Sequence, residues 1–179
     1  LAAVIGEFTE DGRFAHWRRG VAMALTASAL LMGVWQGALA MAARVPLPTR
    51  RGLVRTAGVD GVNDAVRFLQ ERTQPGEAVY VYPYYPMLYF LAEVRNPTRF
   101  GILMYGYNTP EQFHESVAAL ERERPRYVLW DTTVDGDGWA RWYPGFVPPH
   151  DDDLIIEPYL RAHYRQVGEV SGFRVLERE

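Results

Sequence analysis

The sequence contains neither cysteine nor lysine, and both absences limit what the protein can be. Without cysteine it can form no disulfide, no thiolate nucleophile and no zinc site built on sulfur ligands. All 19 basic residues are arginine, which we interpret as the mark of a genome rich in G and C. After residue 43 there are 16 arginines against 19 acidic residues. A mildly acidic domain is poorly suited to nucleic acid, so we expect no nucleic-acid partner.

Charge is also absent from one long stretch near the start of the chain, between Gly20 and Ala43. At about 1.5 Å rise per residue, a helix of this length covers a hydrocarbon core of roughly 30 Å. A secretory signal peptide is one alternative, but its apolar run is usually only about 7–15 residues long. A long helix in the core of a soluble protein is the other, and it would need protein on every side. The sequence therefore predicts a transmembrane helix over residues 20–43.

The charges around this helix do not settle its orientation. Three arginines precede it and four follow it between residues 44 and 55, so the positive-inside rule favours neither side. The chain opens on Leu1 instead of methionine, and residues 1–6 read like the tail of an earlier apolar segment. We expect residues 1–19 to be a cytoplasmic loop or the end of a preceding membrane segment, and the chain to be the C-terminal part of a longer protein.

The residues behind the helix divide into a linker and one soluble domain. Residues 44–58 combine prolines with arginines, which suits a stiff, basic exit from a membrane, and are predicted to be the linker. Residues 59–179 have the size of one ordinary domain.

Local signals predict the elements of this domain. Apolar periodicity and capping residues predict four helices, which begin near Val59, Met87, Thr109 and Glu157. Runs of β-branched and aromatic residues predict strands at 78–82 and 126–130, and a final hairpin at 166–176. The order of helices and strands indicates a parallel pair of strands. We predict an α/β fold, in which one transmembrane helix precedes a small α/β sandwich with a mixed sheet, parallel at its centre and ending in an antiparallel C-terminal hairpin.

Several stretches of the domain follow a pattern found in one group of membrane enzymes. They are the helix Asn63-Asp-Ala-Val-Arg-Phe-Leu-Gln-Glu-Arg-Thr-Gln-Pro-Gly-Glu77, the segment Pro86-Met-Leu-Tyr-Phe-Leu-Ala92, the corner Arg95-Asn-Pro-Thr-Arg99 and the strand Pro125-Arg-Tyr-Val-Leu-Trp130. With them, most of residues 20–178 resembles the C-terminal domain of membrane glycosyltransferases similar to the dolichyl-phosphate-mannose protein mannosyltransferases.

The resemblance implies a polytopic enzyme that uses a polyprenyl-phosphate-linked sugar as donor. It implies three partners, namely the membrane, the lipid-linked sugar and preceding transmembrane helices of the same protein. It also places the soluble domain on the outer face of a bacterial inner membrane. In this family the catalytic carboxylate lies in an early external loop that the chain does not contain, so no catalytic residue is carried over. The domain would then have an accessory role in positioning a substrate, with no cofactor of its own, and a divalent cation stays open for the full enzyme.

A second hypothesis comes from a different functional class. The chain could be a single-pass membrane-anchored binding module without catalytic activity. The complete gene distinguishes the two, because many upstream apolar segments and an early external acid would favour the glycosyltransferase.

The corner at residues 95–99 is the first candidate for substrate binding. Arg95 and Arg99 flank Asn96, so two guanidinium groups and an amide could converge on the phosphate of a donor. The alternative is structural: the arginines pair with nearby acids, and Asn96 holds a turn.

Asp131 and Tyr89 are the other candidates for substrate binding. Asp131 ends a predicted strand, which is where open α/β sheets place ligands, although an aspartate there also often caps a turn. Tyr89 belongs to a group of tyrosines that could stack on a sugar or simply pack. The group consists of Tyr80, Tyr82, Tyr84, Tyr85 and Tyr89.

No metal site or catalytic residue is predicted. His150 and the three aspartates at 151–153 suit a divalent cation chemically, but adjacent residues seldom converge on one ion. Residues 135–138 resemble a fragment of a calcium loop whose later ligands are missing, so we expect a turn there. His114 and Ser116 lie two residues apart on a predicted helix and face different directions, so they cannot form a nucleophile and base pair.

Overall fold

The computed structural model describes residues 12–56, 61–134, 138, 143 and 145–179. The chain divides into two compact units, Leu1–Arg44 and Val45–Glu179. The predicted features at residues 1–6, and the acids of the predicted turn at 135–138, lie outside the described residues.

The first unit contains one long helix, α1, from Gly12–Ala42. Its segment Trp17–Ala42 is 26 residues long and none of it is buried. Large apolar side chains such as Leu31 and Val34 are 71% and 72% exposed. By length and composition, α1 is therefore able to cross a membrane.

The second unit begins with a β-hairpin where the sequence predicted a linker. Strands β1 (Val45–Thr49) and β2 (Gly52–Thr56) pair antiparallel from Val45↔Thr56 to Thr49↔Gly52. Leu47 is fully buried and packs in the core. The prolines of β1 lie on a short edge strand, where a missing N–H costs little, and this is why they do not prevent pairing.

Arg50, in the turn of this hairpin, fastens it to two helices, α2 (Val62–Arg72) and α3 (Pro86–Ala92). Its Nη1 donates to the carbonyl oxygen of Ala92 at 3.0 Å, and its Nη2 donates to that of Gln70 at 2.7 Å and to that of Thr73. The last carbonyls of a helix have no partner within it, so one guanidinium group satisfies the ends of both helices.

The central sheet has four strands in the order β3-β4-β6-β5. Their bounds are β3 Val79–Tyr82, β4 Tyr127–Asp131, β5 Tyr164–Val170 and β6 Phe173–Arg178. Strands β3 and β4 are parallel, β4 and β6 are antiparallel, and β5 and β6 form the C-terminal hairpin. The predicted fold class, with its parallel centre and antiparallel end, is confirmed.

Helices cover both faces of this sheet. Alternate strand residues such as Val81 and Leu129 point to one face, where they form a core with α2, α3 and Leu47. Their neighbours, such as Val128, point to the other face. That face is covered by α4 (Pro110–Glu123) and α5 (Ile156–His163). The predicted capping box that starts α4, with Thr109 and Gln112, is present.

Two features of this topology position the site. Because β3 and β4 are parallel, the chain leaves both strands at the same edge of the sheet. Two short 3₁₀ turns, Thr132–Val134 and Asp151–Asp153, belong to the segments that follow β4.

Candidate functional site

A crevice lies at the carboxyl ends of β3 and β4 and contains two cavities. The polar cavity, of about 260 Å³, includes Tyr82, Tyr105, Trp130, Glu157, Arg161 and Arg174 in its lining. The apolar cavity, of about 410 Å³, includes Tyr84, Tyr85, Ile102, Tyr107, Asp131 and Tyr143. Met104 and Val134 line both. This edge is where open α/β sheets place ligands.

Glu157 is the buried carboxylate of the polar cavity, with only 7% of the residue exposed. Its Oε1 accepts a hydrogen bond from the Tyr82 hydroxyl at 2.5 Å, and its Oε2 accepts one from the Tyr105 hydroxyl at 2.8 Å. The Tyr105 oxygen in turn accepts the backbone N–H of Ile155 at 2.8 Å. Glu157 also lies in the first turn of α5, where the helix dipole favours negative charge. These contacts fix the carboxylate against the cavity.

The two phenols act as donors throughout the physiological pH range. Burial, reinforced by the charge of Glu157, raises the pKa of Tyr82 well above its ordinary value. Burial also raises the pKa of Tyr105, although the N–H of Ile155 opposes the shift. Within the part of the chain that the structure describes, no ion pair joins Glu157 to an arginine. The carboxylate is therefore held by neutral donors.

Positive charge reaches the polar cavity from α5, which also carries Glu157, and from β6. The guanidinium carbons of Arg161 on α5 and Arg174 on β6 lie 5.8 and 5.6 Å from the ring centroid of Trp130. These contacts with the ring orient the two guanidinium groups. Trp130 itself is only 5% exposed and offers little surface to a ligand. The cavity thus presents a carboxylate acceptor and guanidinium donors together. This combination can hydrogen-bond the hydroxyl groups of a sugar and also a phosphate.

The predicted pair Arg95 and Arg99 do not converge on one point. Arg95 Nη2 lies 2.8 Å from Oε2 of Glu123. Arg99 donates from Nε at 2.6 Å and from Nη2 at 2.9 Å to the two carboxylate oxygens of Glu115. These hydrogen bonds lower the pKa of both carboxyl groups. The structural alternative accounts for these contacts, and the phosphate-binding role stays a prediction.

Asn96 holds the corner between these arginines. Its Oδ1 accepts the backbone N–H of Thr98 at 2.9 Å, and its Nδ2 donates to the carbonyl oxygen of Phe100 at 2.7 Å. Both ends of the amide are therefore engaged within the turn.

Tyr89 and Asp131 also have structural partners. The Tyr89 hydroxyl oxygen accepts the backbone N–H of Val81 at 2.9 Å, which ties α3 to β3. Asp131 is 2% exposed, and its Oδ1 accepts from the N–H and the hydroxyl of Thr133 at 2.9 and 2.7 Å. Asp131 caps the turn after β4 and borders the apolar cavity, so of the five predicted residues only Asp131 is among those lining the crevice.

Of the hydrogen-bonded residues of the polar cavity, the sequence pointed to Tyr82, as one of a group of tyrosines, but not to Glu157 or Tyr105. Glu157 follows Leu154-Ile155-Ile156 and precedes Leu160 by three residues, which puts an acid on the inward stripe of a short helix. That signal was available. Its partners Tyr82 and Tyr105 lie 75 and 52 residues away in the sequence, and no local pattern connects them.

The acidic segment after the loop does not gather into a metal site. Asp151–Asp153 form an exposed 3₁₀ turn. Among the described residues, no group of three or more histidine and acidic side chains is placed to hold a metal ion.

Comparisons with known proteins add a distant structural likeness. No protein-family model and no curated protein matches the chain. Among solved structures, it is similar to the C-terminal globular domain of an oligosaccharyltransferase from Archaeoglobus fulgidus, with 13% sequence identity and a TM-score of 0.35. The likeness covers 64% of this chain and 94% of that domain. A TM-score this low carries no inference about function, which rests on the contacts described above.

Proposed function

We propose that this chain is the C-terminal part of a membrane glycosyltransferase that uses a polyprenyl-phosphate-linked sugar, and that its α/β domain positions a substrate for transfer. The polar cavity is the observation that carries the proposal. A buried carboxylate held by two phenols lines the same cavity as two arginines whose guanidinium groups lie over Trp130. Groups fixed in this way offer a sugar several preorganised hydrogen-bond partners. The apolar helix α1 and the family resemblance support a role at a membrane.

The chemistry of the domain favours positioning over catalysis. Both oxygens of Glu157 already accept phenolic hydrogen bonds, so their remaining lone pairs are suited to orienting a hydroxyl group. Ser116 donates to the carbonyl oxygen of Gln112 on its own helix at 2.9 Å. The carboxylate that assists transfer would then come from an earlier part of the full enzyme, which also supplies the remaining transmembrane helices and any divalent cation.

Transfer by the full gene product in membrane vesicles tests the proposal. We expect labelled sugar to pass from a polyprenyl phosphate to an acceptor. Arg161→Gln should raise the KM for the substrate held in the polar cavity about tenfold, the effect of losing one charge-assisted hydrogen bond, with little change in kcat. Arg165→Gln is the matched control, since Arg165 is exposed on β5 and does not line the crevice.

The outcome also decides between the two functional classes. If no polyprenyl-phosphate sugar is consumed, the glycosyltransferase hypothesis is wrong and the hypothesis of a membrane-anchored binding module replaces it. If transfer occurs and Arg161→Gln behaves like Arg165→Gln, the polar cavity has no part in substrate positioning.

Orientation has a separate test that uses the absence of native cysteine. Val147 is 80% exposed, so Val147→Cys provides a single labelling position on the domain. We propose that the domain lies on the outer face of a bacterial inner membrane, and therefore expect an impermeant maleimide to label intact spheroplasts. Labelling only after lysis would place the domain in the cytoplasm.

A further inference from the structure

The outward face of the β1–β2 hairpin is apolar and has no partner among the described residues. Leu47 and Val54 point into the core, so their neighbours point outward. Pro46 and Pro48 are exposed on β1, and Leu53, which pairs with Pro48, is 68% exposed on β2. Such a face is unusual for a hairpin that borders only water.

Helix α3 extends this face beyond the hairpin. Arg51 at the hairpin turn donates from Nε to the carbonyl oxygen of Phe90 at 3.1 Å, and its guanidinium carbon lies 4.9 Å from the centroid of the Phe90 ring. Phe90 is 58% exposed, and Met87, three residues earlier on the same side of the helix, is 61% exposed. We call the exposed side chains of Leu53, Arg51, Phe90 and Met87, with Pro46, Pro48 and Arg55, the apolar-arginine face.

The hairpin segment carries charge of only one sign. Residues 44–56 contain four arginines and no acidic residue. Arg55 is exposed and pairs across the hairpin with Pro46, so its charge lies beside the apolar side chains. Arg51 is 46% exposed and lies 3.8 Å from Glu93, a weak surface ion pair that leaves donors for other acceptors. Arginine beside exposed aliphatic and aromatic side chains is typical of surfaces that rest in a lipid headgroup layer.

We infer that the apolar-arginine face is a membrane-contact surface, which lies against a bilayer containing anionic lipids. Along the chain, only residues 43 and 44 separate the end of α1 from the start of β1. Leu53, Met87 and Phe90 enter the boundary between headgroups and acyl chains, while Arg51 and Arg55 bind lipid phosphates. The hairpin then lies along the membrane and fixes the tilt of the domain. This inference does not depend on glycosyl transfer.

Site-specific quenching in vesicles tests the inference on the full chain. Since the protein has no cysteine, Leu53→Cys and Met87→Cys each provide one position for an environment-sensitive fluorophore. Val147→Cys and Val167→Cys are the controls, at positions 80% and 44% exposed elsewhere on the domain. The vesicles contain phosphatidylglycerol and phosphatidylcholine in equal parts, with a fraction of lipids that carry a nitroxide near the headgroup. Helix α1 tethers all four labels to the same vesicles, so only their depth differs.

We expect the labels at 53 and 87 to be quenched roughly twofold or more above the labels at 147 and 167. Adding Arg51→Gln and Arg55→Gln should reduce quenching at position 53, as should high salt, because both weaken attraction to phosphatidylglycerol. Equal quenching at all four positions would overturn the inference. So would strong quenching at 53 that is insensitive to both the substitutions and the salt, because the arginines would then have no part in the contact. Circular dichroism of each labelled protein checks that the domain is folded.

Discussion

Two carboxylates of this domain are held in opposite ways. Glu157 is 7% exposed and accepts hydrogen bonds from two phenols. Glu115 has a side chain 48% exposed and binds the guanidinium group of Arg99, itself 67% exposed, through both oxygens. Water competes much more for the exposed pair than for the buried carboxylate and its two phenols. Glu157 therefore depends on each of its two neutral donors. The exposed ion pair of Glu115 and Arg99 contributes little to the stability of the fold, although its geometry is better.

The largest expected effect is unfolding at alkaline pH, because the buried phenols can ionise readily only in the unfolded state. Burial is the main cause that raises the pKa of Tyr80, Tyr82, Tyr89 and Tyr105 above the ordinary value of 10.0. The folded state therefore holds these protons when the unfolded state has lost them. The contribution of these tyrosines to the free energy of unfolding is constant below pH 10.0 and falls as pH rises above it. Phenolate absorbance measured together with circular dichroism checks this.

In that titration, phenolate absorbance that appears before the dichroism changes should not come from the four buried tyrosines. The buried group should ionise only as the dichroism of the helices disappears. A single transition near pH 10.0 that includes all 11 tyrosines, with the helices intact, would contradict the buried network.

Removing one of the two phenolic hydroxyl groups that donate to Glu157 should have the next largest effect. Tyr82→Phe leaves the buried carboxylate with one donor fewer, and we expect the free energy of unfolding to fall by about 1.5–3 kcal/mol. Urea denaturation in detergent micelles measures the change. The matched control is Tyr80→Phe on the same strand and the same face of the sheet. The Tyr80 hydroxyl is buried without a hydrogen-bond partner among the described residues, so its loss should not destabilise the domain. Equal losses in the two variants would show that Tyr82 contributes packing alone.

The smallest effect is expected at the exposed ion pair. Arg99 lowers the pKa of Glu115 below its ordinary value of 4.5, so the pair stabilises the fold above pH 4.5, and this contribution is lost as pH falls below that value. Both groups are in contact with water, so Arg99→Gln should change the thermal midpoint at neutral pH by little more than Arg165→Gln does. Thermal unfolding at neutral and acidic pH, in low and high salt, measures this. If Arg99→Gln lowers the thermal midpoint strongly at neutral pH in both low and high salt, water and ions do not screen the pair.

Local signals were sufficient for most of the fold. The capping residues at Thr109, the β-branched and aromatic run of β4 and the residues of the final hairpin are each neighbours in the sequence, and each set predicted its element. The β1–β2 hairpin was missed because its prolines and arginines are also typical of a linker, and only burial of Leu47 distinguishes the two.

The site was harder to predict than the fold, for a physical reason. Arg95, Asn96 and Arg99 were predicted to bind substrate because three polar side chains occur within five residues. In the structure their partners are acids on α4 and the atoms of their own turn. The polar cavity instead assembles side chains from β3, the loop before α4, and α5, and this assembly exists only after the sheet has formed.

The attachment of Arg50 to the ends of α2 and α3 decides where this protein can be cut. The predicted linker would suggest a truncation that starts the protein at residue 59. That truncation removes Arg50, which donates to three carbonyl oxygens, and also removes Leu47 from the core. A water-soluble version for crystallisation should instead begin at Arg44 and keep the whole hairpin. The first residues after the apolar helix thus belong to the globular domain, and only two residues of the chain separate Ala42 from Val45.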